Sequence, residues 1–291
     1  MRCDLHIHSI ASGMCTTPLL DRVSKESYNL PDEVYARCKK LGMSIVTLTD
    51  HDSIDAAEKL RCHSDFFVSE EVTCQMPSGT EVHIGVYNIG ERDHLEIQRR
   101  RKDFVSLLMY LTEQKLFFSV NHVFSGLTGR RDADDFHWFA SYVPAFETRN
   151  GQMCIEANRQ AEALAKRLGK IAIGGSDSHT MRGVARTYTE VTGARTVAEF
   201  FAGLRAKRGR VRGADGSCAG LTADVYRIIQ EVFQEKPATL ALLPLAILVP
   251  VFTLGHWMNE MWFCRKWATH FEDARKSPRM LWDMSPGAEQ I

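Results

Sequence analysis

The sequence predicts an α/β fold over residues 1–215, followed by a helical, strongly apolar extension over 216–291. Three observations predict it. Short apolar runs of strand length alternate with helical stretches, the pattern of βα units. Histidines fall at or near the ends of those runs, at His6, His8, His51, His83, His122 and His179. Near the C-terminal end the composition changes, and Ala238–Met258 runs without a charged residue.

The elements follow in order. Arg2–His8 reads as the first strand. Pro31–Leu41 reads as a helix, with Pro31 at the first helical position and Gly42 at the end. Ser44–Asp50 is a buried strand, followed by a helix near Ile54–Leu60. Phe66–Thr73 and Glu81–Tyr87 are strands flanking the turn residues Pro77-Ser78-Gly79. Glu91–Gln114 reads as one long helix, Leu116–Asn121 as a strand, Ala133–Ala140 as a helix and Pro144–Thr148 as a strand. Ile155–Leu168 is a helix capped by Gly169, and Ile171–Asp177 is a further strand.

Residues two apart on a strand share a face, so His6 and His8 can converge on one ion, as can Asp177 and His179. A neutral imidazole is a good metal ligand, and carboxylates supply the charge that holds and bridges cations. A lone His-x-His pair is more often a satisfied polar pair than a ligand set. Recurrence of His and Glu at several further strand ends favours one shared metal site.

The ordered segments Asp4-Leu5-His6-Ile7-His8-Ser9, Leu48-Thr49-Asp50-His51-Asp52, Glu70-Glu71-Val72, His83-Ile84-Gly85, Asn121-His122 and Gly175-Ser176-Asp177-Ser178-His179 resemble the PHP domain, the polymerase and histidinol phosphatase family. The resemblance covers residues 1 to about 215. It implies a distorted (β/α)7-type barrel with two or three divalent metals at the C-terminal strand ends, and hydrolysis, usually of phosphate esters. Carried onto this chain, His6, His8, Glu71 and Asp177 surround one metal. Glu71 bridges to a second, held also by His83 and His122, and His51 and His179 face a third position. Glu71 is preferred to Glu70 because Glu71-Val72-Thr73 matches the family pattern; a slip of one residue would exchange their faces. Relatives in the nucleotide-phosphatase and exonuclease branch carry an acid shortly after His-x-His, whereas this chain reads Ala11-Ser12-Gly13-Met14-Cys15. The third position therefore lacks that ligand unless Cys15 or a water replaces it. Zinc, manganese and iron all suit such donors.

The expected chemistry uses a metal-bound water as nucleophile, made reactive near neutral pH by its lowered pKa, beside Asp177 and His179. Asp4 and Asp50 adjoin ligands and are expected either to orient imidazoles or to cap turns. Arg182 and Arg186 after His179, and Arg130 and Arg131 after His122, are candidates for phosphate binding through bidentate guanidinium contacts. Each taken singly reads more readily as solvated loop charge, and the pair after His179 is the better candidate because its loop leaves directly from a ligand. Glu147 and Asn150 match a family strand end near the pocket, for substrate contact or turn formation.

Lysines plus arginines equal aspartates plus glutamates at 36 each, so no net field draws the protein onto nucleic acid. Eight cysteines form no Cys-x-x-Cys pair, and no secretory signal precedes the first strand, so a cytoplasmic protein with reduced thiols is expected. Arg99-Arg100-Arg101-Lys102 lies in a helix near acids, and Arg205–Arg212 reads as a nucleic-acid or lipid contact or as a strand with outward arginines. Residues 222–236 read as an amphipathic helix. Ala238–Met258 approaches bilayer-spanning length, with Arg265, Lys266, Trp257, Trp262 and Trp267 as interface residues. The competing reading is an arm that packs on the barrel or on a second subunit.

The expected activity is hydrolysis of a phosphate ester of a small metabolite or nucleotide. The alternatives are an oligonucleotide exonuclease, a carboxyl ester or amide hydrolase, and a non-catalytic scaffold anchored by its C-terminal segment.

Overall fold

The computed structural model describes residues 1–15 and 21–276, with side chains as far as Thr269. The expected extension therefore falls partly outside the described residues, at 277–291. The fold is α/β, built on two sheets. Strands β1 (Arg2–Cys3), β2 (Ser69–Gln75), β3 (Glu81–Tyr87), β4 (Phe117–Val120), β5 (Ala145–Asn150), β6 (Ile171–Gly175), β7 (Thr187–Val191) and β8 (Gly209–Gly213) are joined by helices and loops. The larger sheet has the order β2-β3-β4-β5-β6, antiparallel through β4 and parallel from β4 to β6. The smaller is the antiparallel trio β1-β7-β8.

Two expected strands are not regular. Only Arg2–Cys3 of the first forms a strand, and Ser44–Asp50 forms none. Both run extended through isolated bridges, Ile7 with Ser178, Val46 with Phe66 and His51 with Glu71. The Asp177 N–H donates to the His6 carbonyl at 2.7 Å and the Thr49 N–H to the Ile7 carbonyl at 2.9 Å. Side chains replace the ladder between these contacts: Ile7 N–H donates to Thr49 Oγ1 at 3.0 Å and Ser9 N–H to Asp50 Oδ1 at 2.5 Å. Polar residues compete for backbone donors in this way, so regular pairing is lost.

Helices α1 (Pro31–Lys40), α2 (Asp55–Leu60), α3 (Glu91–Arg100), α4 (Phe104–Glu113), α5 (Ala133–Tyr142), α6 (Ile155–Arg167) and α7 (Val197–Arg205) belong to the same α/β body. The expected single helix over 91–114 is two, α3 and α4. Asp103 divides them, because its carboxylate accepts from Val105 and Ser106 N–H and starts a new helix, a cap worth about 1 kcal/mol. Arg205–Arg212 enters β8, where Arg210 and Arg212 are exposed. Phe139, Phe146, Ile84 and Leu107 are fully buried in the main core. Each such side chain contributes about 1.5–3 kcal/mol on leaving water.

The extension forms α8 (Cys218–Glu235), a 3₁₀ stretch (Pro237–Leu248) and α9 (Val249–Lys276). Helix α9 packs back on the body through buried Phe263, Cys264 and Trp267, while Leu242, Leu243, Leu245, Ile247, Val251 and Phe252 stay exposed. The helical run Pro237–Thr269 has mean hydropathy 2.2 in its most apolar window, enough by length and composition to cross a membrane. That window is only 11% buried.

Candidate metal centre

Elements distant in sequence bring eight expected donors together. His6 and His8 arrive on the extended segment after β1, Glu71 on β2, His83 on β3, His122 just after β4, and Asp177 and His179 just after β6. His51 follows the extended segment bridged to β2. Register explains Glu71: it pairs with Gly85 and Thr73 with His83, so Glu71 and His83 share a face. Glu70 points the other way, to His94 Nδ1 and Gln98 Nε2, both at 2.9 Å.

The donor spacing is narrow. His6 Nε2 lies 3.0 Å from His8 Nε2, 3.2 Å from Glu71 Oε1 and 3.5 Å from Asp177 Oδ1. His8 Nε2 lies 3.2 Å from Asp177 Oδ1 and 3.4 Å from Glu71 Oε2. A second triangle joins Glu71 Oε1, His83 Nδ1 and His122 Nε2, with sides of 3.5, 3.3 and 3.2 Å. Ligands about 2.0–2.1 Å from a tetrahedral metal stand about 3.3 Å apart, so both sets fit one cation each. His51 Nδ1 supports the same fit. It is buried without a hydrogen-bond partner among the described residues, 3.3 Å from Glu71 Oε2. His8, His51 and His179 also place donor atoms within 4.8 Å of one another.

Glu26 is absent from the expected set, yet its Oε1 lies 3.5 Å from His51 Nε2 and 3.7 Å from His179 Nε2. It supplies a carboxylate where the Ala11–Cys15 stretch has none. Glu26 sits in a loop without periodic pattern, so its only signal was that missing acid, for which Asp21 and Glu26 are the next candidates along the chain.

Neighbouring side chains fix the imidazoles. Glu147 Oε1 stands 2.9 Å from His6 Nδ1, leaving Nε2 to face the cluster. Its Oε2 accepts from the His122 N–H at 2.9 Å and from Asn150 Nδ2 at 3.0 Å. Asn150 Nδ2 also donates to Asp177 Oδ2 at 2.9 Å, so this buried amide holds two carboxylates. Asn121 Nδ2 donates to Glu71 Oε1 at 2.8 Å. Asp50 accepts from Ser12 Oγ at 2.7 Å, and Ser12 Oγ is 3.0 Å from His8 Nδ1, so Asp50 reaches an imidazole through a hydroxyl. Asp4 clamps backbone instead, accepting from His6, Ser176 and Ala185 N–H.

Two candidate ligands occupy left-handed backbone, His122 at φ 29° and Asp177 at φ 51°. Such strained conformations in non-glycine residues persist where the surroundings enforce them, and they concentrate at functional sites. Burial opposes charge on Glu71 and Asp177, yet the surrounding imidazoles hold both carboxyls well below the ordinary range. Burial, reinforced by His179 and His51, pushes His8 down to about 3, whereas against the same burial the facing carboxylates draw His6 well up and His51 up to about 9.

The arginines divide. Arg182 is taken by Asp224, with Nε–Oδ1 at 3.0 Å and Nη2–Oδ2 at 2.9 Å. Arg131 is buried under Phe139 and donates to the Glu81 carbonyl at 3.1 Å. Arg130 and Arg186 are exposed. Cys15 pairs its backbone N–H with the Ser24 carbonyl at 3.0 Å, and its thiol joins none of the three donor groups.

A family model described as PHP-associated matches residues 156–208. The fold is similar to that of a two-domain Bacteroides vulgatus protein containing a predicted PHP-like metal-dependent phosphoesterase, with TM-score 0.57 at 16% identity over 74% of this chain. The fold is PHP-type. The match spans 65% of the Bacteroides vulgatus chain. The fold is also similar to that of PsfC from Pseudomonas syringae, with TM-score 0.51 at 15% identity, over 81% of this chain and 98% of that one. Comparison with curated proteins finds no match.

Proposed function

We propose that this PHP-type chain is a metal-dependent hydrolase that cleaves a phosphate ester of a small molecule. The observation that carries the reading is Glu71, whose two carboxylate oxygens stand between the His6–His8 set and the His83–His122 pair at 3.2–3.5 Å. His6, His8, Glu71 and Asp177 would hold one divalent cation, and Glu71, His83 and His122 a second. His51, His179 and Glu26 would face a third. Zinc, manganese or iron bound there would lower the pKa of water and polarise a phosphoryl oxygen.

The chain's own groups do the rest. Glu147 keeps the His6 imidazole turned so that Nε2 faces inward. Asn150 holds Asp177 and Glu147 in register. His179, His51 and His83 are the more open members, with side chains 22%, 15% and 15% exposed, and would line the side from which substrate and water enter. His179 Nδ1 stands 3.0 Å from the Asp177 carbonyl, which only accepts, so Nδ1 carries the hydrogen and Nε2 is the nitrogen that can take or return a proton at that mouth. Among the described residues Arg130 and Arg186 form no ion pair of the kind that occupies Arg182, which makes them the better phosphate partners. We also read the extended segments around residues 4–8 and 46–51 as two irregular staves completing a seven-membered barrel between β6 and β2.

The test is hydrolysis of a panel of phosphate and carboxylic esters, followed by phosphate release for the first and acid release for the second. Activity abolished by EDTA and restored by Mn²⁺ or Zn²⁺ is expected. Hydrolysis that survives complete removal of metal would overturn the reading.

A further inference from the structure

We propose, resting on the hydrolase reading above, that the substrate is the phosphate ester of an amphiphile. Its apolar part occupies a cavity that the C-terminal extension builds beside the candidate metal centre. The exposed apolar strip of that extension seats on an anionic lipid surface.

The cavity measures about 180 Å³. One wall is polar and belongs to the centre: Glu26, Asp177 and His179. Facing it are Met153, Leu221, Val225, Ile228 and Trp257, four of them contributed by α8 and α9. Gln152, Asp224, His256 and Glu260 also line the cavity, but the two carboxylates are already held by Thr180, Arg182 and Ser125, so a hydroxyl-rich group gains few new partners there, whereas an alkyl or aryl group needs none. An apolar cavity of about 150 Å³ admits a benzene ring, so the space suits one ring or a short stretch of chain.

The extension is held in place around this cavity. Asp224 on α8 accepts from Thr180 Oγ1 at 2.6 Å and from Arg182. Glu260 on α9 accepts from Ser125 Oγ at 2.7 Å, three residues after His122. At the turn between α8 and the 3₁₀ stretch, Lys236 Nζ donates to the Val23 carbonyl at 3.0 Å. Both flanks of Leu242, Leu243, Leu245, Ile247, Val251 and Phe252 are therefore tied to the body while these side chains face outward. A strip held at both ends lies along a surface, the habit of interfacial elements, and does not leave it as a span.

Charge and continuity point to a lipid. Trp262 is 62% exposed, with Lys266 Nζ 5.6 Å from its ring centre and exposed Arg265 alongside. An indole beside cations is suited to the headgroup level of an anionic leaflet. Trp257 lines the cavity from the same helix that carries Val251 and Phe252, so a chain leaving the cavity passes along apolar α9.

The experiment uses the full chain loaded with Mn²⁺. Binding of a non-hydrolysable alkylphosphonate series is followed by tryptophan fluorescence. Co-sedimentation is measured with phosphatidylcholine vesicles, with and without phosphatidylglycerol. Affinity is expected to rise about fourfold per added methylene until the cavity is filled, following the free energy of burying each CH₂. Val225→Glu should flatten that dependence. Sedimentation should require phosphatidylglycerol and be lost in Phe252→Glu, whose melting temperature should match the parent because the side chain is 71% exposed. Affinity independent of chain length would overturn the proposal, as would absence of sedimentation, including through self-association that covers the strip. Chain-length-dependent binding without hydrolysis of any ester would leave this inference standing and sink the hydrolase reading. Metal-restored hydrolysis of polar esters alone would do the reverse.

Discussion

At the scale of single residues, the account rests on groups that touch the candidate ligands as much as on the ligands themselves. Glu147 contacts His6 Nδ1 and the His122 backbone, so Glu147→Gln should weaken metal affinity about 10–100-fold without unfolding the protein, as loss of an orienting partner does elsewhere. Titration with a chromophoric chelator checks this, and unchanged affinity would contradict it. Glu26 makes a separable prediction. Because its carboxylate meets His51 and His179, Glu26→Ala should release the most weakly held metal and spare the others. Stepwise metal release during dialysis against chelator would show one early step lost. The convergence of the candidate donors was legible from sequence because His and acid recur at several strand ends, where any one of them alone reads as a satisfied polar residue. Glu26 was not, since a loop acid carries no periodicity. The roles of Asp4 and Arg182 were not legible either, because each depends on a partner far along the chain, Ala185 and Asp224.

At the scale of elements, close packing positions the site. Gly175 ends β6 against the His6 backbone, and a Cβ there would lie 2.4 Å from His6 N. Neither backbone can yield cheaply, so Gly175→Ala should cost about 1–3 kcal/mol, the usual price of overpacking, and shift His6. Urea denaturation measures the first effect, and a drop in metal affinity the second. Arg182→Ala should loosen α8, because it leaves the buried Asp224 carboxylate with only Thr180 at 2.6 Å. Faster hydrogen exchange along α8, with the β-strands unchanged, is the expected signature. Most helices were readable from apolar spacing and their caps. The failures have local causes: Asp103 restarts a helix, and Thr49 and Asp50 capture backbone donors that a ladder would have used. A polar side chain that competes for its neighbours' N–H groups leaves no trace in hydrophobic pattern.

At the scale of the whole molecule, the first and last parts of the α/β body meet at the centre. His6 comes from its beginning and Asp177 from near its end, and the extension then folds back over the same mouth through Asp224 and Glu260. Buried carboxylates and imidazoles at this density cost several kcal/mol per uncompensated charge, so bound metal should stabilise the entire fold. Saturation at about a hundred times the dissociation constant adds about 2.7 kcal/mol, and calorimetry should show the melting temperature fall on chelation and recover with Mn²⁺. The central claim is that Glu71 joins two donor sets into one metal centre, and elemental analysis of metal-loaded protein tests it most directly. The account predicts at least two equivalents of divalent metal per chain in the parent and a loss from both sets in Glu71→Gln. A parent that binds none, or a Glu71→Gln variant that retains its full complement, would contradict it.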